Sequence, residues 1–274
     1  MPNDKEFLRL TKDERKKIIF EYPEASEFIR IQVGADEFIN DVERYCYWIP
    51  NERKDVAMGI KPIKDAVENV KNYRLNSKDK TLHSQALYPH QFREFYECKN
   101  SSLIIPIVSS ENREYIPIGF LRPGTIVPNS AQVIYDADKL TFGVVTSKMH
   151  MVWVRHTAGR LENRFRYSIF LCYNTFPFPK ISDKQRQVIE MYVDNILSER
   201  EKYSDKTMAE LYDPDKMPQG LREAHHSLDL AIEKCYRQAP FESDEKRLEH
   251  LFKRYEIMTD PTKQHNTEEQ LSLL

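Results

Sequence analysis

SKMHMVWVRHTAGRLENRFRYSIFLCYNTFPFP, residues 147–179, joins an apolar helix signal, a charged loop signal and a strand signal in one uninterrupted run. Ser147 is a residue type that caps helix N-termini. Met149, Val152, Trp153 and His156 then recur at i, i+3, i+4 and i+7, the spacing of one buried helical face. Gly159 is expected to end this helix in the left-handed conformation that glycine adopts without steric cost. Arg160, Leu161, Glu162, Asn163, Arg164, Phe165 and Arg166 follow as a loop crowded with long charged side chains. Beyond it Tyr167, Ile169, Leu171 and Tyr173 alternate with Ser168, Phe170 and Cys172, a period of two that predicts a strand stopped by Asn174 and Pro177.

On the N-terminal side of this run, short extended segments punctuated by proline and glycine predict strands over Leu103–Val108, Tyr115–Leu121 and Gln132–Tyr135. Their connectors carry polar groups, among them Glu111, Asn129 and Ser130, on loops that a sheet would hold rigid. Further upstream, Asn51–Leu75 has a helical stripe, and the aromatic and apolar residues of Phe38–Ile49 predict a strand. Thr11 and Glu14 form a capping-box signature for a helix that Pro23 halts near Tyr22, with a further turn or two over Ala25–Ile29. Downstream, Ser182 with Gln185, Pro218 and Ser243 open helical stretches, and residues 259–274 are polar and expected to fray.

The 274 residues are 40% hydrophobic and 31% charged, with no apolar run long enough to span a bilayer and no signal-peptide core, so the expected compartment is the cytoplasm. Cys46, Cys98, Cys172 and Cys235 stand apart with no CxxC pair, which predicts reduced thiols rather than a disulfide framework or zinc site. The net charge of −2 conceals a local bias: Lys148, Arg155, Arg160, Arg164 and Arg166 face the single acid Glu162 between residues 145 and 170. With 7 glycines the chain offers no glycine-rich cradle for a nucleotide or for S-adenosylmethionine, and no Asn-Pro-Pro-aromatic tetrapeptide or nuclease carboxylate cluster occurs. Adjacent on a helix, His225 and His226 point about 100° apart, which predicts one buried and one exposed histidine rather than a metal pair. The chain is therefore not expected to catalyse a reaction by itself.

SSENREYIPIGF (109–120), SKMHMVWVRHTAGRLENRFRYS (147–168), YNTFPFP (173–179), LYDPDKMPQGLREAHHSLDLAI (211–232) and RLEHLFKRYE (247–256) together resemble the C-terminal part of MmeI-like enzymes, the single-chain type IIL restriction-modification proteins. GADEFINDVERYCYWI (34–49) and the opening MPND resemble the join that follows the adenine methyltransferase domain of that family. The resemblance covers nearly the whole chain and its motifs keep their order. It implies an α+β fold: a helical linker over residues 1–33, a mixed α/β target recognition domain over 34–180, an all-α helical C-terminal domain over 181–258, and the tail. It also implies that the chain is a segment of a longer polypeptide bearing a methyltransferase domain, and in some members a nuclease, with S-adenosylmethionine used there and no cofactor held here.

What the resemblance implies about function is sequence-specific binding of double-stranded DNA in the major groove. Glu162 and Arg164 are similar to the family's paired readers of the base beside the methylated adenine, Asn129 and Ser130 occupy the place of a second reading pair, and Glu111 lies near a third. Hydrogen-bond chemistry agrees in kind, because guanidinium forks match guanine O6 and N7, carboxylates accept from cytosine N4, and asparagine pairs with adenine. Lys148, Arg155, Arg160 and Arg166 are the candidates for phosphate contacts. The alternative reading is a protein-interaction module whose helical half docks a partner while the basic loop solvates the surface.

Overall fold

The computed structural model describes residues 4–93 and 96–260. The Thr11 hydroxyl accepts the Glu14 N–H at 3.2 Å and the Glu14 carboxylate takes the Thr11 N–H at 2.7 Å, so the expected capping box forms. β1 (Arg9–Thr11) thus passes into α1 (Lys12–Glu21), which stops ahead of Pro23; a 3-10 turn over Pro23–Phe28 leads into β2 (Ile29–Gln32). The expected strand over Phe38–Ile49 divides in two, α2 (Ala35–Asn40) and β3 (Arg44–Tyr47). The helical half forms because the Glu37 carboxylate reaches back 2.9 Å to the Gly34 N–H, and Asp41, at φ 53°, ends it in the left-handed region. The long helix expected over 51–75 also breaks, into α3 (Lys54–Met58) and α4 (Lys61–Leu75), since Pro62 belongs in the first turn of a helix and not its middle.

α5 (Lys80–Ser84) and β4 (Tyr96–Glu97) follow. Then come β5 (Ser102–Pro106), β6 (Val108–Ser109), β7 (Gly119–Leu121), β8 (Ile126–Val127) and β9 (Ala131–Ile134). The strand expected over 115–121 is thus only its last three residues, although Tyr115, Ile116 and Ile118 are buried as its pattern requires. α6 (Lys139–Thr146), α7 (Lys148–Thr157), β10 (Gly159–Leu161) and β11 (Arg164–Arg166) precede a π-helix at Ile169–Tyr173. The rest is helical, as expected: α8 (Asp183–Glu201), α9 (Met208–Leu211), α10 (Gln219–Glu233) and α11 (Asp244–Thr259). The chain is α+β. The tail beyond Asp260 lies outside the described residues.

The described chain forms two compact units. One takes the residues up to Asn100 together with Arg122–Ser130, and the other takes Ser101–Leu121 and everything from Ala131 on. The first holds a five-stranded sheet in the order β1-β3-β2-β8-β4, with α4 supplying Ile63, Val67 and Val70 to its core. β2 meets β8 in parallel through Gln32 and Ile126. The second unit holds two three-stranded sheets, β7-β5-β9 and β10-β11-β6. One apolar core runs through this unit from Leu103 on β5 to Trp153 on α7, Ile189 on α8, Leu228 on α10 and Leu251 on α11. Polar ties accompany it: Arg200 donates to the Ile118 carbonyl at 2.8 Å, and the Tyr212 hydroxyl lies 2.7 Å from His225 Nε2. Gly143 on α6 lets α8 approach, because a Cβ there would lie 2.8 Å from Ile189 Cγ2.

Candidate nucleic-acid interface

The hairpin that carries the basic residues stands on α7. Ser147 caps that helix as expected, its hydroxyl accepting the His150 N–H. The expected one-sided burial does not hold: all of Met149–Val154 is buried, and His156, predicted inside, is exposed. A helix packed by α6, α10 and α11 has no free face in its middle, so the apolar stripe in the sequence understates its burial. Trp153 packs against Phe252 and Tyr255 at centroid distances of 5.1 and 5.6 Å. His150 Nε2 lies 3.0 Å from the Tyr167 hydroxyl, and complete burial pushes the imidazole down to about 3, which keeps it neutral.

At the start of α7 the backbone N–H of Lys148 donates to Asp229 of α10 at 2.6 Å, and the Tyr115 hydroxyl donates to the same carboxylate at 2.7 Å. Burial nevertheless raises Asp229 to about 7, outweighing both donors. The folded protein therefore holds on to a proton that the unfolded chain releases near pH 4. Stability from this group is complete below that pH and is lost as pH rises to about 7, by something on the order of 4 kcal/mol. Asp229→Asn keeps an acceptor for Lys148 without a charge, so thermal melts between pH 4 and 8 are expected to lose that slope relative to the native chain. A variant with the same pH profile as the native protein contradicts the assignment.

α7 ends at Thr157, and the chain turns into an antiparallel hairpin in which Gly159 pairs with Arg166, Arg160 with Phe165, and Leu161 with Arg164. Gly159 is therefore the first residue of a strand and not a left-handed helix cap. The left-handed residue is Glu162, at φ 56°, in the two-residue turn Glu162–Asn163. Phe165 is buried at 3% exposure, and the Arg160 guanidinium lies over its ring, 4.3 Å from the centroid. Arg160 also donates to the carbonyls of Asn163 and Arg155, so it braces the turn. Strand alternation sends Arg164 and Arg166 to the face opposite Phe165, where both are exposed. Arg164 Nη2 holds Glu162 Oε2 at 2.8 Å, with the Glu162 side chain 76% exposed.

β6 extends this sheet, Ser109 facing Phe165 and Val108 facing Arg166. In that antiparallel register the chain leaves β6 at the end where Glu162 and Asn163 turn. Glu111, two residues beyond β6, thus emerges at the same end of the sheet as Glu162 and Arg164. No local pattern signals this pairing, which joins segments more than fifty residues apart. Of the remaining cations, Lys148 pairs with the partly exposed Asp244 at 3.2 Å and Arg155 is half-buried. Asn129 and Ser130 belong to the other unit. Both are exposed, but the Ser130 hydroxyl accepts the Ala35 N–H at 3.2 Å and so holds the start of α2. Gly34 makes this approach possible, because a Cβ there would lie 2.5 Å from Ser130 Oγ.

The segment after the hairpin departs most from expectation. Ser168 is still extended, at φ −122° and ψ 127°, and from there Ile169–Tyr173 winds as a π-helix with Cys172 buried and Phe170 and Leu171 exposed. Alternation in the sequence could not reveal this, because the helix is fixed by distant packing against α7. Of the two adjacent histidines, His225 is buried and His226 exposed. Among the described residues no group of three or more His, Cys, Asp or Glu side chains is placed to hold a metal ion, and no helix is long and apolar enough to cross a membrane.

Compared with known proteins, residues 1–180 match the family description "MmeI, target recognition domain" and residues 181–262 match "MmeI, C-terminal domain". DNA methyltransferase A of Bacillus subtilis (strain 168) is 45% identical over 261 residues, which are 95% of this chain and 30% of that protein. The type IIL restriction-modification enzyme MmeI, solved in complex with DNA, superposes with a TM-score of 0.89 at 36% identity over 94% of this chain and 34% of its own. The chain thus spans about a third of the length of these relatives. Two matches that adjoin at residue 180 and together run from residue 1 to 262 make this chain a member of the MmeI family, corresponding to its target recognition and C-terminal domains.

Proposed function

We propose that this chain is the sequence-reading part of an adenine-N6 DNA methyltransferase or restriction-modification enzyme, and that it binds double-stranded DNA in the major groove. The observation that carries the reading is the hairpin β10–β11. It displays Arg164 and Arg166 on an exposed face, braces them through Arg160, and sets Glu162 beside Arg164 on a rigid turn. A guanidinium and a carboxylate 2.8 Å apart match the donor and acceptor edges of one G·C pair. The DNA-bound state of the similar MmeI enzyme supports the choice of ligand.

Within this reading Glu162, Arg164, Asn129, Ser130 and Glu111 face bases, and Lys148, Arg155, Arg160 and Arg166 face phosphates. Residues 34–180 do the reading, and residues 181–258 support them. S-adenosylmethionine and any nuclease chemistry belong to other domains of the same polypeptide, and the enzyme works in the cytoplasm. Each phosphate contact releases counterions, so with four of them the affinity for a duplex is expected to fall about 10²-fold between 50 and 200 mM salt. Arg166→Ala should lower the slope of log affinity against log salt by about one. An affinity that does not change with salt overturns the proposal. It would favour instead a protein-docking role, for which exposed Val188, Met191 and Leu230 on α8 and α10 offer apolar surface.

A further inference from the structure

Glu111 is half-buried, and among the described residues no hydrogen bond or ion pair holds its carboxylate. What it faces is therefore set by the backbone that carries it. Leaving β6 at Ser109, that backbone closes a turn at once: the Ser110 hydroxyl accepts the Asn112 N–H and the Ser110 carbonyl accepts the Arg113 N–H, both at 3.3 Å. The Glu114 carboxylate then accepts a hydrogen bond from Arg222 of α10, and Arg222 also donates to the Pro214 carbonyl at 3.1 Å, which fixes the guanidinium. Glu111 thus lies three residues from a tie to the helical region.

The next ties on this segment also come from beyond residue 181. The Tyr115 hydroxyl donates to Asp229 of α10 at 2.7 Å, and its ring stacks on His225 of the same helix with centroids 4.2 Å apart. Arg200 of α8 donates to the Ile118 carbonyl and to the Tyr212 hydroxyl, both at 2.8 Å, and that hydroxyl lies 2.7 Å from His225 Nε2. A group that reads a base edge has to be held to within about 0.5 Å, and a turn anchored at one end only swings further than that. Here β6 anchors one end through its ladder with β11, and α10 anchors the other. The Glu114 and Arg222 side chains are 34% and 36% exposed, so their ion pair contributes little to stability, and its effect is on where the turn points.

We infer that Arg222 is a positioning residue for base recognition: through Glu114 it fixes the turn that presents Glu111, which makes the helical region after residue 181 part of the reading device. The inference rests on the DNA-binding reading above, in which Glu111 faces a base. Arg222 acts through Glu114 and makes no DNA contact of its own. The test uses the full-length enzyme that contains this region, with sequencing of its methylated sites as the readout. Glu111→Ala identifies the base pair concerned, as the one position of the site where discrimination is lost.

Arg222→Ala is expected to lower discrimination at that base pair about tenfold, while the pair assigned to Glu162 and Arg164 keeps its preference. The melting temperature should move by about 3 °C or less, and the slope of log affinity against log salt should stay at its native value. Glu114→Arg should have the same effect on discrimination. Combined with Arg222→Glu it restores the ion pair with the charges exchanged, and native discrimination should return. Unchanged discrimination in Arg222→Ala overturns the inference and leaves the DNA-binding reading intact. A salt slope lower by about one in that variant makes Arg222 a phosphate contact and overturns the inference too. Equal loss at every position of the site, without recovery in the exchanged pair, marks a general weakening of the fold and has the same consequence. If Glu111→Ala changes no position, Glu111 reads no base and the inference falls with that assignment. Failure of the native enzyme to bind any duplex overturns both the inference and the reading beneath it.

Discussion

In the full-length enzyme, replacing Glu162 by Lys and Arg164 by Asp together is expected to exchange C for G on the methylated strand beside the target adenine, with the other positions of the site unchanged. Arg164 donates to guanine and Glu162 accepts from the cytosine amino group, so the two charges suit one orientation of a G·C pair and oppose the other. In the free protein they form an ion pair at 2.8 Å on an exposed turn, and the double substitution would re-form it with the signs exchanged. Each well-made contact contributes roughly 1–3 kcal/mol of discrimination, so the pair together changes base preference by one to four orders of magnitude. Either single substitution leaves one charge facing the wrong base edge in a desolvated groove, and should lose activity without acquiring the new site. Sequencing of methylated or cleaved sites reads the result. An unchanged recognition sequence in the double variant returns Glu162 and Arg164 to the status of a surface ion pair, which at such exposure contributes little.

The second large effect is on stability. Trp153→Ala is expected to destabilise the second unit by about 3–5 kcal/mol, because it empties the space of a side chain only 1% exposed and leaves its neighbours partly uncollapsed. Those neighbours are Phe176, Phe252 and Tyr255, and the Thr175 hydroxyl loses the indole donor. For a unit of this size the melting temperature should fall by about 10 °C, followed by circular dichroism. Trp153→Phe retains an aromatic ring and should fall by less than half as much. Since α7 is the base of the hairpin, DNA binding by the alanine variant should weaken at temperatures where the native chain is still folded. A change in melting temperature of about 2 °C or less would contradict the placement of Trp153 at the centre of this core.

Boundaries made by hydrogen bonds between near neighbours were legible in the sequence. The capping boxes at Thr11 with Glu14 and Ser182 with Gln185, and the caps at Ser147 and Ser243, sit where the residue types placed them. Each is satisfied within three residues and needs nothing from the rest of the chain. Three of the four helices after residue 181, α8, α10 and α11, begin where Ser182, Pro218 and Ser243 signalled them, whereas α9 was not expected although Thr207 and Glu210 form a capping box there. The family also could be recognised from ordered motifs, since residues 34–49, 109–120 and 147–168 keep their sequence whatever their conformation.

Tertiary structure decided what depends on partners far along the chain. The left-handed residue at the hairpin is Glu162 and not Gly159, because pairing of β10 with β11 fixes where the turn must fall. Tyr167–Tyr173 alternates like a strand, yet Ile169–Tyr173 winds as a π-helix, since Tyr167 ahead of it is bound to His150 and Cys172 within it is buried. Glu111 reaches the hairpin's turn only through the ladder between β6 and β11, and Asp229 meets the start of α7 only through the packing of α10. A residue's own propensity carries a few tenths of a kcal/mol to about 1 kcal/mol, whereas burying an aromatic ring or satisfying a buried polar group contributes more. Where the two disagree, contacts between distant segments prevail.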